Sequence, residues 1–196
     1  EAFHRAGALD RAIAWYRHGL ENGGPLFGGG KSRYEFMEGW VFAAVEKGDF
    51  ASALEATASL ERFFPDFAAY LPFYRAFVAW RSGQAPALGG LEDKPGYPDW
   101  LRFFSFEARL AAGEPDLDGL LEQVRAALTT AYESRGPLLS LEATLLLRLG
   151  RPAEALSPAR AAQAWMGARV NLDPGARAFR QVVAGRLVAV ESALNR

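Results

Sequence analysis

The sequence predicts an all-α protein, a superhelix of stacked antiparallel helical hairpins with about nine helices in 196 residues. Three observations carry this. Apolar residues recur at spacings of three and four, the signature of one buried helix face. No stretch alternates apolar and polar residues for long enough to make a strand. Glycines at the breaks (Gly7, Gly48, Gly83, Gly113 and Gly150) return at intervals of 41, 35, 30 and 37 residues, the behaviour of a repeated unit.

Taken in order, Leu9, Ala12, Ile13, Tyr16 and Leu20 draw the first stripe. After Gly48 the pattern returns as Phe50, Ala53, Thr57 and Leu60, closed by Pro65. Aromatic residues then crowd the chain. Phe63, Phe67, Tyr70, Tyr74 and Phe77 are expected on one helix face, with Phe73 and Trp80 on a second. Beyond Gly83 a Gly- and Pro-rich stretch stands where a second helix is due. Leu117, Leu120, Leu121, Val124, Ala127, Leu128 and Ala131 form the next stripe. Gly150, Pro152, Ala155, Ala159 and Ala162 repeat the small-residue pattern, and Phe179, Val182, Val183, Leu187, Val190 and Leu194 form the last stripe. Asp173-Pro174 reads as the opening of that last helix, an N-cap followed by a first-turn proline. Breaks are expected at Gly23–Gly30, Phe64-Pro65, Gly113-Glu114-Pro115, Gly136-Pro137 and Asn171–Pro174, and kinks at Pro72 and Pro158. The expected organisation is one domain, 1–196, with units near 1–30, 31–66, 67–99, 100–136 and 137–170 and a capping helix over 174–195.

Composition narrows the function. Half the residues are apolar and 23% are charged, which excludes a disordered chain. With no cysteine there is no disulfide framework, zinc–thiolate site or thiol nucleophile. A net charge of -1 argues against a polyanion binder, so nucleic acid is not an expected partner. The longest uncharged run, Ser82–Leu91, is too short to span a membrane. The chain opens on Glu1, with Met37 as its first methionine, and is read as a processed form or a part of something longer. A cytoplasmic location is expected.

The chemical motifs are few. Gly-Lys-Ser at 30–32 ends like a phosphate-binding loop, but Pro25 stands where the first glycine belongs and no strand precedes it. His4 and His18 lack partners at metal spacing and are expected as solvated or hydrogen-bonded surface residues. Glu35 and Glu38 lie one turn apart and could pair, yet an (α/α)-barrel glycosidase needs a closed ring of about twelve helices and this chain supplies about nine. They read as a solvated acidic face. Neither a catalytic site, a metal nor a cofactor is expected.

Three segments, GALDRAIAWYRHGL, GWVFAAVEKGDFASALEATASLERFFP and LLLRLGRPAEALSPARAAQAW, resemble the tetratricopeptide (TPR) family of helical repeats. Trp40 with Ala44, and Leu139 with Ala143, match its bulky and small positions on the first helix of a hairpin. The resemblance implies a non-catalytic protein-interaction module, of the kind found in bacterial regulators and scaffolds. It places a partner-binding groove on the first helices, and the matching positions are Glu35, Glu38, Phe42, Tyr70, Phe73, Phe77, Trp80, Arg81, Trp100, Phe103, Glu107, Thr144 and Arg148. The partner would be a peptide or helix of another protein. The alternative is that the same rings fill a core, or enclose a small apolar molecule beneath the Gly83-to-Asp99 loop as a ligand-sensing domain of a transcriptional regulator. Charge is polar along the chain: residues 35–66 carry seven acids against two bases, and 169–196 carry five arginines against two acids. Such poles suit a charged partner or a homo-oligomer.

Overall fold

The structure, a computed structural model, describes residues 2–22, 33–65, 70–86, 88, 99–169 and 174–195. The described residues form ten α-helices and no strand: α1 (Ala2–Arg5), α2 (Leu9–Asn22), α3 (Arg33–Lys47), α4 (Phe50–Phe63), α5 (Leu71–Arg81), α6 (Asp99–Ala111), α7 (Leu117–Leu128), α8 (Arg135–Arg148), α9 (Pro152–Arg169) and α10 (Pro174–Leu194). Break spacing predicts about nine; the ten include the four-residue α1. The helices pack as two compact units, Glu1–Gln84 and Ala85–Arg196, where the sequence reading has a single domain.

The five spacing glycines are the positive-φ residues of the described chain, with φ from 73° to 82°. Each ends a helix in the same way. At Gly48 the amide bonds Val45 O at 3.1 Å and the next amide, of Asp49, reaches back to Ala44 O at 2.9 Å. The pair recurs at Gly7, Gly83, Gly113 and Gly150. This Schellman arrangement satisfies carbonyls that the helix leaves open, and it needs a left-handed residue for which glycine has no Cβ penalty. Two of the helices that follow are then capped by an aspartate. Asp49 accepts from Ser52 N at 3.1 Å and Asp116 from Gly119 N at 2.8 Å, each occupying an orphan first-turn donor.

Prolines set the other boundaries, and here the structure corrects the sequence reading. Phe64 precedes Pro65 and takes φ -142°, ending α4 at Phe63, because the ring of a following proline disfavours the helical region. The break expected at Phe64-Pro65 is present, and Phe63, on α4, therefore does not share a helix face with Tyr74 and Phe77, on α5. Pro72 falls in the first turn of α5, where its missing N–H breaks no intrahelical bond, so no kink arises there. Gly136-Pro137 likewise lies in the first turn of α8 and not between helices. Pro158 sits inside α9, which continues through it. Residues 84–86 and 88 are not helical. Most of the expected Gly83-to-Asp99 loop, the Gly-Lys-Ser segment, Phe67 and Asp173 lie outside the described residues.

Each unit is built around one helix. In the first, α3 packs on α2, α4 and α5, and α1 packs on α2. In the second, α8 packs on α7, α9 and α10 and touches α6. These two helices are buried on most of their circumference: α3 buries Phe36, Met37 and the whole run Gly39–Val45, and α8 buries Leu138, Ser140, Leu141, Ala143, Leu145 and Leu146. An enclosed helix needs apolar residues all round rather than a single stripe. Small residues permit the close approach, with Ala12, Ala44, Ala53, Ala143 and Ala155 at 0–1% exposure. Packing runs between neighbours in sequence and between alternate helices (α3 with α5, α6 with α8, α8 with α10).

Candidate functional site

In the first unit, α3 packs on α5, and Glu38, Tyr70 and Phe73 come together around Tyr34 and Tyr74, with Glu35 one turn before Glu38 on α3. The Tyr74 hydroxyl donates to Glu38 Oε1 at 3.0 Å. Its oxygen lies 2.6 Å from that of Tyr34. A phenol has one proton, so with Tyr74 donating to Glu38 the Tyr34 hydroxyl is the donor to Tyr74. Burial holds the Tyr74 phenol protonated far above the usual tyrosine range, and the Glu38 and Tyr34 groups reinforce this. Tyr34 is raised too, chiefly by burial, with Glu38 and Tyr70 adding to it. Tyr70 opens to solvent at 47% exposure, and Glu35 is exposed. Phe73 is half-buried, edge-on to Tyr74 at 4.9 Å and stacked on Phe77 at 6.4 Å.

The rest of the predicted groove in this unit divides between core and rim. Phe42 and Phe77 belong to the core, at 4% and 0% exposure, and are not available to a partner. Trp80 is half-buried against Phe77. The half-buried Arg81 has a buried Nε without a hydrogen-bond partner among the described residues. Burial lowers the pKa of its guanidinium, and the charge of Glu46 opposes the shift. Glu46 also takes His4 Nε2 at 2.8 Å, and the Tyr16 hydroxyl lies 3.4 Å from His4 Nδ1. His4 is therefore a buried, bonded histidine and not a surface one, because Glu46 and Tyr16 arrive on other helices.

In the second unit the predicted residues are mostly structural. Trp100 lies 4.7 Å from Phe179 of α10, and Phe103 and Phe104 complete a four-ring cluster. Phe103, at 0% exposure, is core. Glu107 is buried, with both oxygens 2.8 Å from Arg186 Nη2, while Arg186 Nη1 donates to Ser140 Oγ at 2.9 Å. Thr144 donates to Ser140 O at 2.9 Å within its helix. Arg148 is exposed and donates to Leu110 O at 3.2 Å, capping the end of α6.

Two clefts escape the sequence reading. One, of about 520 Å³, lies between α6 and α7 and is lined by Arg102, Ser105, Phe106, Arg109, Gln123, Ala126 and Ala127. Its signal in the sequence is the spacing of 102, 105, 106 and 109, one face of a helix. The other, of about 210 Å³, includes Trp40, Glu55 and Arg62. Beside it Arg17 lies over the Trp40 ring at 4.9 Å and pairs with Glu55. Among the described residues no group of three or more His, Asp or Glu side chains could hold a metal ion, and no helix is long and apolar enough to cross a membrane. No protein-family model matches the chain, and no curated protein or solved structure is significantly similar to it.

Proposed function

We propose that this chain is a non-catalytic interaction module of the TPR-like kind, its hairpins stacked as a superhelix, acting within a regulatory or scaffold protein. The face of α3 and α5 receives a partner segment. The observation that carries the reading is the grouping of an exposed ring, Tyr70, and a half-buried one, Phe73, with the carboxylate of Glu38 around Tyr34 and Tyr74, and with the exposed Glu35 one turn away on α3. Helices with buried stems hold these groups, so a partner meets anchors already in position. Rings beside carboxylates favour a lysine or arginine side chain, through attraction to the ring faces and to the acid. The excess of acids over residues 35–66 gives the same sign. Five identical helix-ending turns and neighbour-to-neighbour packing support the repeat reading.

The test is a peptide-display library panned against the intact chain. Enriched peptides should carry basic residues, and Tyr70→Ala or Glu35→Gln should weaken them at least about tenfold, the loss of roughly 1.4 kcal/mol, at unchanged thermal stability. Failure to enrich any peptide, or peptides indifferent to both substitutions, would refute the proposal.

A further inference from the structure

We infer that the cleft between α6 and α7 is a binding site for a small carboxylate with an apolar body, a ligand class separate from the peptide proposed for the other unit. Four positions of α6 form one wall. Arg102 and Arg109 stand two turns apart, with Ser105 and Phe106 between them, and Gln123, Ala126 and Ala127 of α7 form the other wall. At about 520 Å³ the cleft is within the size of pockets that hold small molecules.

The two arginines differ in what they bring. Arg109 is oriented: Nε donates to Glu114 Oε2 at 2.8 Å and Nη1 to Gln123 Oε1 at 2.7 Å. A guanidinium has five N–H donors in a fixed fork, and these bonds use two, so the Nη2 side remains open among the described residues. Glu114 balances its charge, and Arg109 contributes direction more than field. Arg102 is exposed and forms no ion pair with a described residue; it supplies the net positive charge. Between them Ser105 adds a hydroxyl, and Phe106 and the two alanines leave an apolar strip. A planar carboxylate matches the arginine fork, and the strip accounts for the apolar body. Inorganic phosphate satisfies the charge but leaves the strip uncovered.

The experiment is an amide NMR titration of the intact chain with phenylacetate, with phenylacetamide, acetate and inorganic phosphate as comparisons. Phenylacetate should bind saturably in the millimolar range, with shifts centred on 102–109 and 123–127, and each comparison should bind at least about tenfold more weakly. Arg102→Gln, at an exposed position, should weaken phenylacetate several-fold with the melting temperature unchanged. Arg109→Met should abolish the preference for the acid over the amide, its helicity checked by circular dichroism. Equal binding of phenylacetamide, shifts centred elsewhere, no saturation, or an Arg102→Gln variant that binds as before would each overturn the assignment.

Discussion

The ring of Tyr16 lies against the backbone of Gly39: a Cβ built on that glycine would stand 2.5 Å from Tyr16 Cε1 and 2.6 Å from Cζ. Gly19 and Phe36 repeat the relationship in the opposite sense, also at 2.5 Å. Each of the two helices, α2 and α3, therefore offers one glycine to a ring of the other. Both rings are buried, so neither can swing aside.

Gly39→Ala should destabilise the chain by up to about 2 kcal/mol, because an overpacking cost of about 1–3 kcal/mol outweighs the roughly 1 kcal/mol that alanine gains over glycine in a helix. Gly185→Ala is the control. That glycine lies in α10 with nothing within 4 Å of a built Cβ, and the substitution should stabilise by up to about 1 kcal/mol. Urea denaturation of the two variants should move in opposite directions.

Gly48 poses a different constraint. Nothing lies within 4 Å of its built Cβ, but φ is +82°. Gly48→Ala should cost about 1–2 kcal/mol from backbone strain alone. Gly48→Asn should cost less, since asparagine tolerates the left-handed region better. Equal midpoints for wild type and Gly48→Ala would contradict the observed turn.

The Arg186–Glu107 pair links α10 to α6, with side-chain exposures of 19% and 9%. Arg186→Met should cost about 2–4 kcal/mol, because it strands a carboxylate with little access to water. Adding Glu107→Leu should restore much of that loss, since an apolar pair of similar size avoids the desolvation. A double-mutant cycle read by thermal melts tests the order. A double variant less stable than Arg186→Met would refute it.

Tyr74 makes stability depend on alkaline pH. Its pKa is raised in the folded chain by burial first and Glu38 second, so the phenol favours folding below the unfolded value near 10. Above that value the unfolded chain releases a proton that the folded chain keeps. Stability then falls by about 1.4 kcal/mol per pH unit from this group. Tyr74→Phe should make the decline between pH 10 and 11 shallower, and thermal melts across that interval would detect it.

Much of the local structure is legible in the sequence because its causes are local. A left-handed turn asks for glycine wherever it occurs, and so Gly7, Gly48, Gly83, Gly113 and Gly150 mark helix ends without knowledge of any partner. Stripes such as Leu120, Leu121 and Val124 identify the buried face of α7 for the same reason. Positions within the candidate site are less legible. Phe73 and Phe77 are four residues apart on one helix, yet one reaches the surface and the other does not. Proline also misleads a one-dimensional reading, since Pro72 breaks a helix or begins one according to where its first turn falls.

The sequence by itself determined that the chain is helical, where several of its helices end, and which residue types a partner could meet. Tertiary structure alone decided that His4 meets Glu46, that Arg186 reaches Glu107, and that Arg102 and Arg109 share a cleft with Gln123. Turns and stripes follow from dihedral preference and periodicity over a few residues. Burial of a charge or closure of a cleft depends instead on which distant surface arrives, and no local pattern encodes that.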